Sequence, residues 1–306
     1  TLFPYTTLFR FASAPKINNA DMKSYGWEME LSWRDRIEDF NYGVRFTLAD
    51  GQRKVLKYPN ESGDIYSWYN NKLDGTIWGY TTVGIAQTQE EMNAHLANNK
   101  PNWGSNWGAG DIMYADLNGD GEVTSGSKTL NDHGDLKIIG NSYARYNFGF
   151  TVDGSWRGLD FSIFLQGTMK RDYWLDGPYF WGASGDEWQS ACFTEHLDYW
   201  TPEHTNAYYP KPYFGNIKKN QEVQSGYLQN AAYLRVKNVQ VGYTLPKSWT
   251  KKAAMESVRF YVSGDNLLTW TGISSIFDPE TLGGDWGPGK LYPLQRTLSV
   301  GEIGRA

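Results

Sequence analysis

Oxygen-bearing side chains recur at every second position from residue 116 to residue 120, as in a cation-binding loop. Hard oxygens at this spacing on a curled backbone can converge on one calcium ion, and a glycine at position 121 completes the start of the D-x-[DN]-x-[DN]-G pattern. The twelfth position is Ser127 rather than a glutamate, so Asp132 or Asp135 would have to close the site. The alternative is a polar turn that holds no metal. The candidate calcium ligands are Asp116, Asn118, Asp120, Glu122 and Asp135.

A second candidate site is a run of aromatic residues between positions 174 and 188. Flat aromatic faces can stack on sugar rings, and the carboxylates interspersed among them could bind sugar hydroxyls. The same residue types also pack against each other within loops, or against a partner protein. These alternatives stay open at the level of sequence. The candidate substrate-binding residues are Trp174, Tyr179, Trp181 and Trp188.

The one cysteine of the chain, Cys192, lies close in sequence to His196 and His204. A Cys/His nucleophile, or a metal site that also uses Glu195 and Glu203, is chemically conceivable. No signature of such a site surrounds Cys192, and its Tyr and Trp neighbours are typical of an ordinary packed loop. The sequence therefore predicts no catalytic residue and no required cofactor, with structural calcium as the one candidate ion.

The composition excludes several classes of protein. The 306 residues carry 29 Lys and Arg against 34 Asp and Glu, a formal net charge of −5, and no basic block suggests a nucleic-acid partner. A single cysteine excludes an intramolecular disulfide framework. No run of 18 apolar residues is present to form a transmembrane helix. Strands that alternate apolar and polar residues can nevertheless cross a membrane as a β-barrel.

Period-two alternation is the dominant pattern of the chain, and it predicts strands with one apolar and one polar face. In the first strand Trp27, Met29 and Leu31 share one face, while Glu28 and Glu30 share the other. In the fifth strand the phase slips near residue 238, which predicts a β-bulge. The seven predicted strands cover residues 26–34, 41–50, 145–153, 159–166, 233–245, 257–263 and 294–300.

Short and long connections alternate strictly between these strands, which places every long loop at the same end. An outer-membrane barrel has this arrangement, with short periplasmic turns and long extracellular loops, whereas a soluble sandwich has no reason for it. Thr88 and Glu91 have capping-box spacing and predict a short helix in the first long loop. The residues predicted to line a water-filled barrel interior are Glu28, Glu30, Arg34, Arg45, Arg145 and Asp160. The residues predicted for the barrel exterior or its aromatic girdles are Trp27, Trp33, Tyr42, Tyr146 and Trp249.

Several segments, in order along the chain, resemble the SusC/RagA-type TonB-dependent transporters. The most specific is YLRVKNVQVGYTLP at residues 233–246, followed by VRFYVSGDNLLT at 258–269. Residues 110–121 with 139–141 resemble the family's GDIxYxDxNGDG…IGN loop, and residues 159–167 resemble its FDLSVFLQG strand. Residues 278–280 and 292–297 resemble its last loop and final strand.

The resemblance implies an all-β fold, namely the C-terminal portion of a 22-stranded antiparallel transmembrane β-barrel, with about seven or eight strands and long extracellular loops. It implies a non-enzymatic protein of the Gram-negative outer membrane that imports oligomeric nutrients, foremost glycans and otherwise peptides. The implied partners are membrane lipid, a SusD-like surface lipoprotein over the loops, and the TonB complex, which acts through a plug domain that this sequence lacks.

Both ends of the sequence look foreign to the protein. Residues 1–10 and residues 302–306 match translations of common sequencing adapters. We therefore expect the receptor segment to span residues 11–301 and exclude both ends from fold reasoning.

Two other classes of protein fit parts of the same sequence. A secreted β-sandwich, either a carbohydrate-binding module or a glycoside hydrolase, would use the aromatic and carboxylate residues to hold or cleave polysaccharide. Such a sandwich must bury its apolar faces against a second sheet. A barrel with an adhesive rather than a transport role is the third reading.

Overall fold

A computed structural model describes residues 18–182, 192–213, 219–283, 287 and 289–305. Its strands are β1 (Asp21–Ile37), β2 (Phe40–Lys57), β3 (Thr76–Gly79), β4 (Thr82–Ile85), β5 (Lys100–Pro101), β6 (Ile112–Tyr114), β7 (Glu122–Val123), β8 (Lys137–Asn141), β9 (Arg145–Trp156), β10 (Leu159–Lys170), β11 (Asp172–Tyr173), β12 (Gln229–Thr244), β13 (Ser257–Gly272) and β14 (Thr297–Arg305). Its α-helices are α1 (Gln89–Leu96), α2 (Pro178–Trp181) and α3 (Lys247–Thr250), and its 3₁₀ turns are Thr194–Leu197, Ser225–Tyr227 and Lys251–Ala253.

One antiparallel sheet contains all seven predicted strands, in the order β1-β2-β9-β10-β12-β13-β14, with β11 paired to β12. The sheet does not close on itself within the described residues, so β1 and β14 form its two edges. The fold is therefore the predicted antiparallel barrel segment. Among the residues described, no helix is long and apolar enough to cross a membrane.

The connections alternate as predicted, but the turns are tighter because the strands run further than the sequence pattern suggested. β1 and β2 are joined by Glu38 and Asp39 alone, and β9 and β10 by Arg157 and Gly158. Arg157 and Gly158 have φ values of 47° and 90°, and positive φ at both central positions is the geometry that closes a two-residue hairpin. The short connections lie at one end of the sheet and the three long ones at the other.

The pairing register divides the sheet into one apolar and one polar face. Trp33, Val44, Val152, Ile163 and Val239 are successive partners across five strands. The polar face carries three ion pairs between neighbouring or next-neighbouring strands, namely Glu30–Arg45 at 2.8 Å, Arg34–Asp153 at 3.5 Å and Asp160–Arg259 at 2.9 Å. Arg145 pairs with Asp50 at the long-loop end. The predicted polar face is therefore confirmed.

The predicted bulge in β12 lies at Lys237. Phe164 and Leu165 of β10 face Asn238 and Val236, and β13 shows a register shift at the same place. The extra residue returns Val236 to the apolar face that Val239 occupies, because one inserted residue reverses the alternation. The phase slip in the sequence is thus the trace of a structural irregularity rather than the end of a strand.

The last strand differs from its prediction, since it begins at Thr297 rather than at residue 294. Pro293 has no N–H for a ladder, and the Leu294 N–H donates to Asp278 Oδ2 at 3.1 Å, so this stretch is bound to the preceding loop instead. At the far end the alternation fails: Glu302 pairs with Phe260 on the apolar face, and the apolar Ile303 pairs with Arg259. This break falls where adapter-derived residues are expected to begin, and that expectation stays a prediction.

The three long connections pack together into one unit, here called the loop body, at the long-loop end of the sheet. Residues from all three connections share its hydrophobic core, including Tyr114, Phe180 and Phe277. Helix α1 begins as predicted, with the Thr88 hydroxyl accepting the Glu91 N–H at 3.1 Å, and it buries Met92. The loops are therefore a folded body that can hold side chains in fixed positions.

Candidate functional site

A buried ion pair joins the first long connection to the second inside the loop body. Lys219 Nζ lies 2.6 Å from Asp111 Oδ2, and the two side chains are 1% and 0% exposed. Lys219 also donates to the Asn106 carbonyl at 2.7 Å and lies 4.3 Å from the centre of the Tyr213 ring. A buried ion pair is stable only when its remaining hydrogen-bonding capacity is satisfied, and here it is.

Amide side chains extend this pair into a network. Asn220 Nδ2 donates to Asp111 Oδ1 at 2.9 Å, and Asn220 Oδ1 accepts the Ile112 N–H at 3.0 Å. Gln224, which is fully buried, donates to the Tyr114 hydroxyl at 3.0 Å and accepts from the Thr82 hydroxyl at 2.9 Å. The network fixes residues 219–224 of the second connection against strands β4 and β6 of the first.

Part of the predicted aromatic site belongs to the hydrophobic core of the loop body. Trp181 is 7% exposed and packs on Phe180, Trp174 and Tyr227, with ring centres 5.1, 6.0 and 4.9 Å away. Trp181 therefore packs against other residues of the loops, which is one of the alternatives left open for this segment. Tyr179 is half-buried and stacks on Phe193 at 6.0 Å. Trp188 lies outside the described residues.

Trp181 also contributes to the wall of a cavity of about 240 Å³ in the loop body. Aromatic rings and prolines supply most of the wall, and Leu197 and Lys211 are exposed at its surface. Burial raises the pKa of the Tyr209 phenol, so this ring stays neutral at ordinary pH. The lining residues are Trp181, Cys192, Phe193, His196, Leu197, Tyr199, Tyr209, Pro210, Lys211, Pro212, Tyr213, Asn220 and Gln221.

His196 is held in this wall by both of its ring nitrogens. Nδ1 accepts the Phe193 N–H at 3.0 Å, so the proton is on Nε2, which donates to the Tyr179 carbonyl at 3.1 Å. A histidine bound in this way has no free nitrogen to activate Cys192. The side chain of His204 is about half exposed, and its Nε2 bonds Asp198 Oδ1 at 2.8 Å. The geometry gives no support to Cys/His chemistry.

The predicted calcium loop is organised by hydrogen bonds from its own backbone. The Asp116 carboxylate accepts the N–H groups of Asn118, Gly119 and Gly121 at 3.0, 2.6 and 2.8 Å. The buried Asp135 accepts the N–H groups of Leu117 and Thr124 at 2.6 and 2.7 Å. Asn118 and Asp120 bond each other, and Glu122 donates its N–H to Asp120. Within the described part of the chain no three His, Cys, Asp or Glu residues form a metal-binding group. Calcium binding by this loop stays a prediction.

We expect this loop to open in acid. The N–H groups of Gly121, Gly119 and Asn118 hold the pKa of Asp116 below its usual 3.8. A carboxylate with a lowered pKa stabilises the folded loop fully above its unfolded pKa, and this stabilisation is lost as the pH falls through the lower, folded value. Hydrogen exchange at Gly119 and Gly121, corrected for the intrinsic rate at each pH, should show strong protection near pH 6 and weaker protection at about pH 2.

The matched control is Asp116→Asn, whose amide does not titrate, so protection of these two amides should depend on pH less than in the wild type. Equal protection of the wild-type amides at both pH values would contradict the role given to Asp116.

A second buried cluster fixes the last long connection to the sheet. Arg235 of β12, 3% exposed, lies 2.8 Å from both Asp278 and Glu280, and it donates to the Thr269 hydroxyl at 2.8 Å. Lys237, the bulge residue, lies 2.8 Å from the same Glu280. Both basic residues belong to the 233–246 motif, and both acids belong to the 278–280 motif. The two motifs are therefore one structural unit on the polar side of the sheet.

Sequence reasoning missed the Asp111–Lys219 pair and most of the cavity. Asp111 lies within the 110–121 motif, which gives no sign of its burial, and Lys219 carries no pattern of its own. A local signal for the cavity did exist, since Tyr199, Tyr208 and Tyr209 with Pro210 are a second aromatic cluster close to the predicted one. Which rings line a cavity and which are core depends on contacts between separate loops.

Comparison with known proteins agrees with this architecture. No protein-family model matches the chain. TonB-dependent receptor P3 of Formosa agariphila is 26% identical over 93% of the chain, which spans 29% of that receptor. TonB-dependent receptor SusC of Bacteroides thetaiotaomicron is 22% identical over 93% of the chain, which spans 26% of it. The chain thus covers less than a third of the length of the relatives it matches.

Solved structures give the same fold. A structure of the RagAB peptide transporter superposes with a TM-score of 0.65 over 93% of this chain and 29% of that one, at 21% identity. The RagAB peptide importer in its "open-open" state superposes with a TM-score of 0.66 over 94% of this chain, at 20% identity. At these identities the likeness shows the fold.

Proposed function

Because the chain is homologous to SusC/RagA-type TonB-dependent receptors over 93% of its length, we propose that it forms part of the wall and loops of an outer-membrane importer of oligomeric nutrients. The protein carries out no covalent chemistry, and its task is to bind and admit a solute. The imported nutrient belongs to one of two classes, glycans or peptides. The sequence resemblance favours glycans, whereas a peptide transporter is among the similar solved structures.

The observation that carries the proposal is the exposed apolar face of the large antiparallel sheet. Leu31, Trp33 and Val262 are 59%, 63% and 54% exposed, and nothing in the described part of the chain covers them. A soluble sandwich would bury this face against a second sheet. A barrel wall places it in lipid and turns the ion-paired face towards water.

Aromatic residues lie near both ends of this face, as at the two interfaces of a membrane. Trp33, Trp156 and Tyr243 lie near the short turns, and Trp27 and Trp270 lie near the long loops. All five side chains are exposed. In this proposal the loop body is extracellular and the short turns are periplasmic.

The partners follow from the same proposal. The loop body faces a SusD-like surface lipoprotein, which would close over it, and lipid surrounds the apolar face. Energy comes from the TonB complex through a plug domain outside this chain. Ligand binding shifts the receptor and its lid between open and closed populations.

A deletion experiment in the source bacterium tests this function. We expect loss of the gene to abolish uptake of one class among fluorescent maltohexaose and a fluorescent peptide mixture, and we expect deletion of tonB to have the same effect. Re-expression of the intact gene is the control. Unchanged uptake of every solute tested, or recovery of the protein in the soluble secreted fraction, would overturn the proposal.

A further inference from the structure

We propose that the 240 Å³ cavity of the loop body binds the aromatic side chain of a peptide, with a neighbouring carboxylate of that peptide held by Lys211. The inference rests on the proposed import function and names the substrate class. Four observations carry it, namely the size of the cavity, the state of its polar groups, the charge at its mouth and its access to solvent.

The cavity has room for one aromatic ring. A cavity of roughly 150 Å³ lined by apolar side chains is enough to hold benzene, and this one is about 240 Å³. Its wall offers ring faces and edges from Trp181, Phe193, Tyr199 and Tyr209. Offset and edge-to-face contacts between rings favour an aromatic occupant over an aliphatic one.

Three polar side chains of the wall are already bonded within the protein, whereas the Trp181 indole N–H is buried without a partner. Asn220 uses both ends of its amide, on Asp111 and on the Ile112 N–H. His196 uses both ring nitrogens, and the Tyr213 hydroxyl donates to Asp111 at 3.4 Å. A sugar ring placed here would leave several hydroxyls without partners, and an unpartnered buried hydroxyl is unfavourable. One buried indole N–H cannot serve the several hydroxyls of a sugar ring, so the wall favours a mostly apolar group.

Lys211 gives the mouth of the cavity a positive charge. Its side chain is exposed, and its Nζ lies 5.4 Å from the centre of the Tyr213 ring. Among the residues described, no carboxylate lies within ion-pair distance of Lys211. A ligand with a carboxylate next to its aromatic side chain would complement this charge.

Cys192 makes the cavity testable, because it is exposed, lines the wall and is the one cysteine of the chain. The probes are the pentapeptide Gly-Phe-Glu-Gly-Gly, its partner Gly-Ser-Glu-Gly-Gly, and maltohexaose. In the full-length receptor in detergent, we expect the Phe peptide to slow labelling of Cys192 by fluorescein maleimide about tenfold at saturation. The Ser peptide and maltohexaose should leave the rate unchanged. Cys192→Ser reports labelling at any other cysteine of the receptor.

Direct binding gives a second readout. Alkylation of Cys192 with N-phenylmaleimide fills the cavity and should weaken binding of the Phe peptide, measured by calorimetry, at least tenfold. Cys192→Ser treated with the same reagent should bind the peptide normally. Lys211→Ala should weaken binding of the Phe peptide about threefold, the size expected of an exposed charge pair.

The inference is wrong if all three probes change the rate of Cys192 labelling equally, if maltohexaose slows this labelling, or if no probe slows it. Uptake distinguishes this failure from failure of the proposed function. If the gene is needed for TonB-dependent uptake but Cys192 is not protected by the Phe peptide, import stands and the cavity assignment is wrong. If the peptide protects Cys192 but no uptake depends on the gene, the cavity assignment stands and the import proposal is wrong.

Discussion

Replacing Asp111 with alanine should lower the free energy of unfolding of the loop body by about 3–5 kcal/mol. The substitution leaves Lys219, 1% exposed, without its carboxylate in a site that water does not reach. The Tyr213 and Trp107 rings, 4.3 and 5.1 Å from its Nζ, stabilise the cation only in part. Asn220 and the Gly108 N–H also lose their acceptor, which adds to the effect.

The urea dependence of proteolysis within residues 58–144 measures this free energy for the loops separately from the sheet. The double variant Asp111→Leu with Lys219→Met should recover much of the loss, because it removes both buried charges. Arg157→Ala is the exposed control: it breaks a 2.9 Å pair with Asp39 whose side chains are 69% and 50% exposed, and it should change stability by less than about 1 kcal/mol. A loss of the same small size for Asp111→Ala would contradict the assigned role.

Arginine on the apolar face should oppose insertion of the sheet into a bilayer. Ile163 of β10 lies between Val152 and Val239, in the middle of the row of apolar partners. Ile163→Arg should make folding into lipid vesicles less favourable by about 2–4 kcal/mol, the range for a cation near the bilayer midplane of a β-barrel. Ser162→Arg, one residue away on the polar face, should have less than about a quarter of that effect because its side chain meets water.

The pair of variants separates a membrane effect from a general loss of β-structure, because both place the same residue in the same strand. Folding of the receptor into dilauroylphosphatidylcholine vesicles, followed by tryptophan fluorescence in urea, provides the measurement. Equal effects of the two arginines would mean that the two faces do not differ in environment.

The sheet was predictable because its signal is local. Alternation of side chains along each strand is fixed by the backbone, so Trp27 and Glu28 reveal their opposite faces without any knowledge of the partner strand. Even the bulge at Lys237 left a local trace, since Leu234 and Val239 cannot share a face unless the phase slips between them. The strand ends were less predictable: β9 continues to Trp156, because pairing with Phe40 extends it beyond the last clear alternation.

The loop body was not predictable, because its contacts join residues that lie far apart in the chain. Trp181 has the same sequence neighbourhood whether it stacks on a solute or on Tyr227, and only the folding of the second connection onto itself decides between them. Lys219 similarly needs Asp111 from another connection before burial becomes favourable. Asp116 illustrates a different limit, since the same carboxylate spacing serves a cation or a set of backbone N–H groups.

Spin labels along β10 test most directly whether the sheet is a barrel wall with one face in lipid. Single cysteines at positions 160 to 165 of the full-length receptor in vesicles, in a background without other cysteines, would carry the label. For a barrel wall, we expect labels at 161, 163 and 165 to collide with lipid-soluble oxygen, and labels at 160, 162 and 164 to collide with a water-soluble nickel chelate. Labels at 161, 163 and 165 shielded from both reagents, as inside a sandwich, would contradict it.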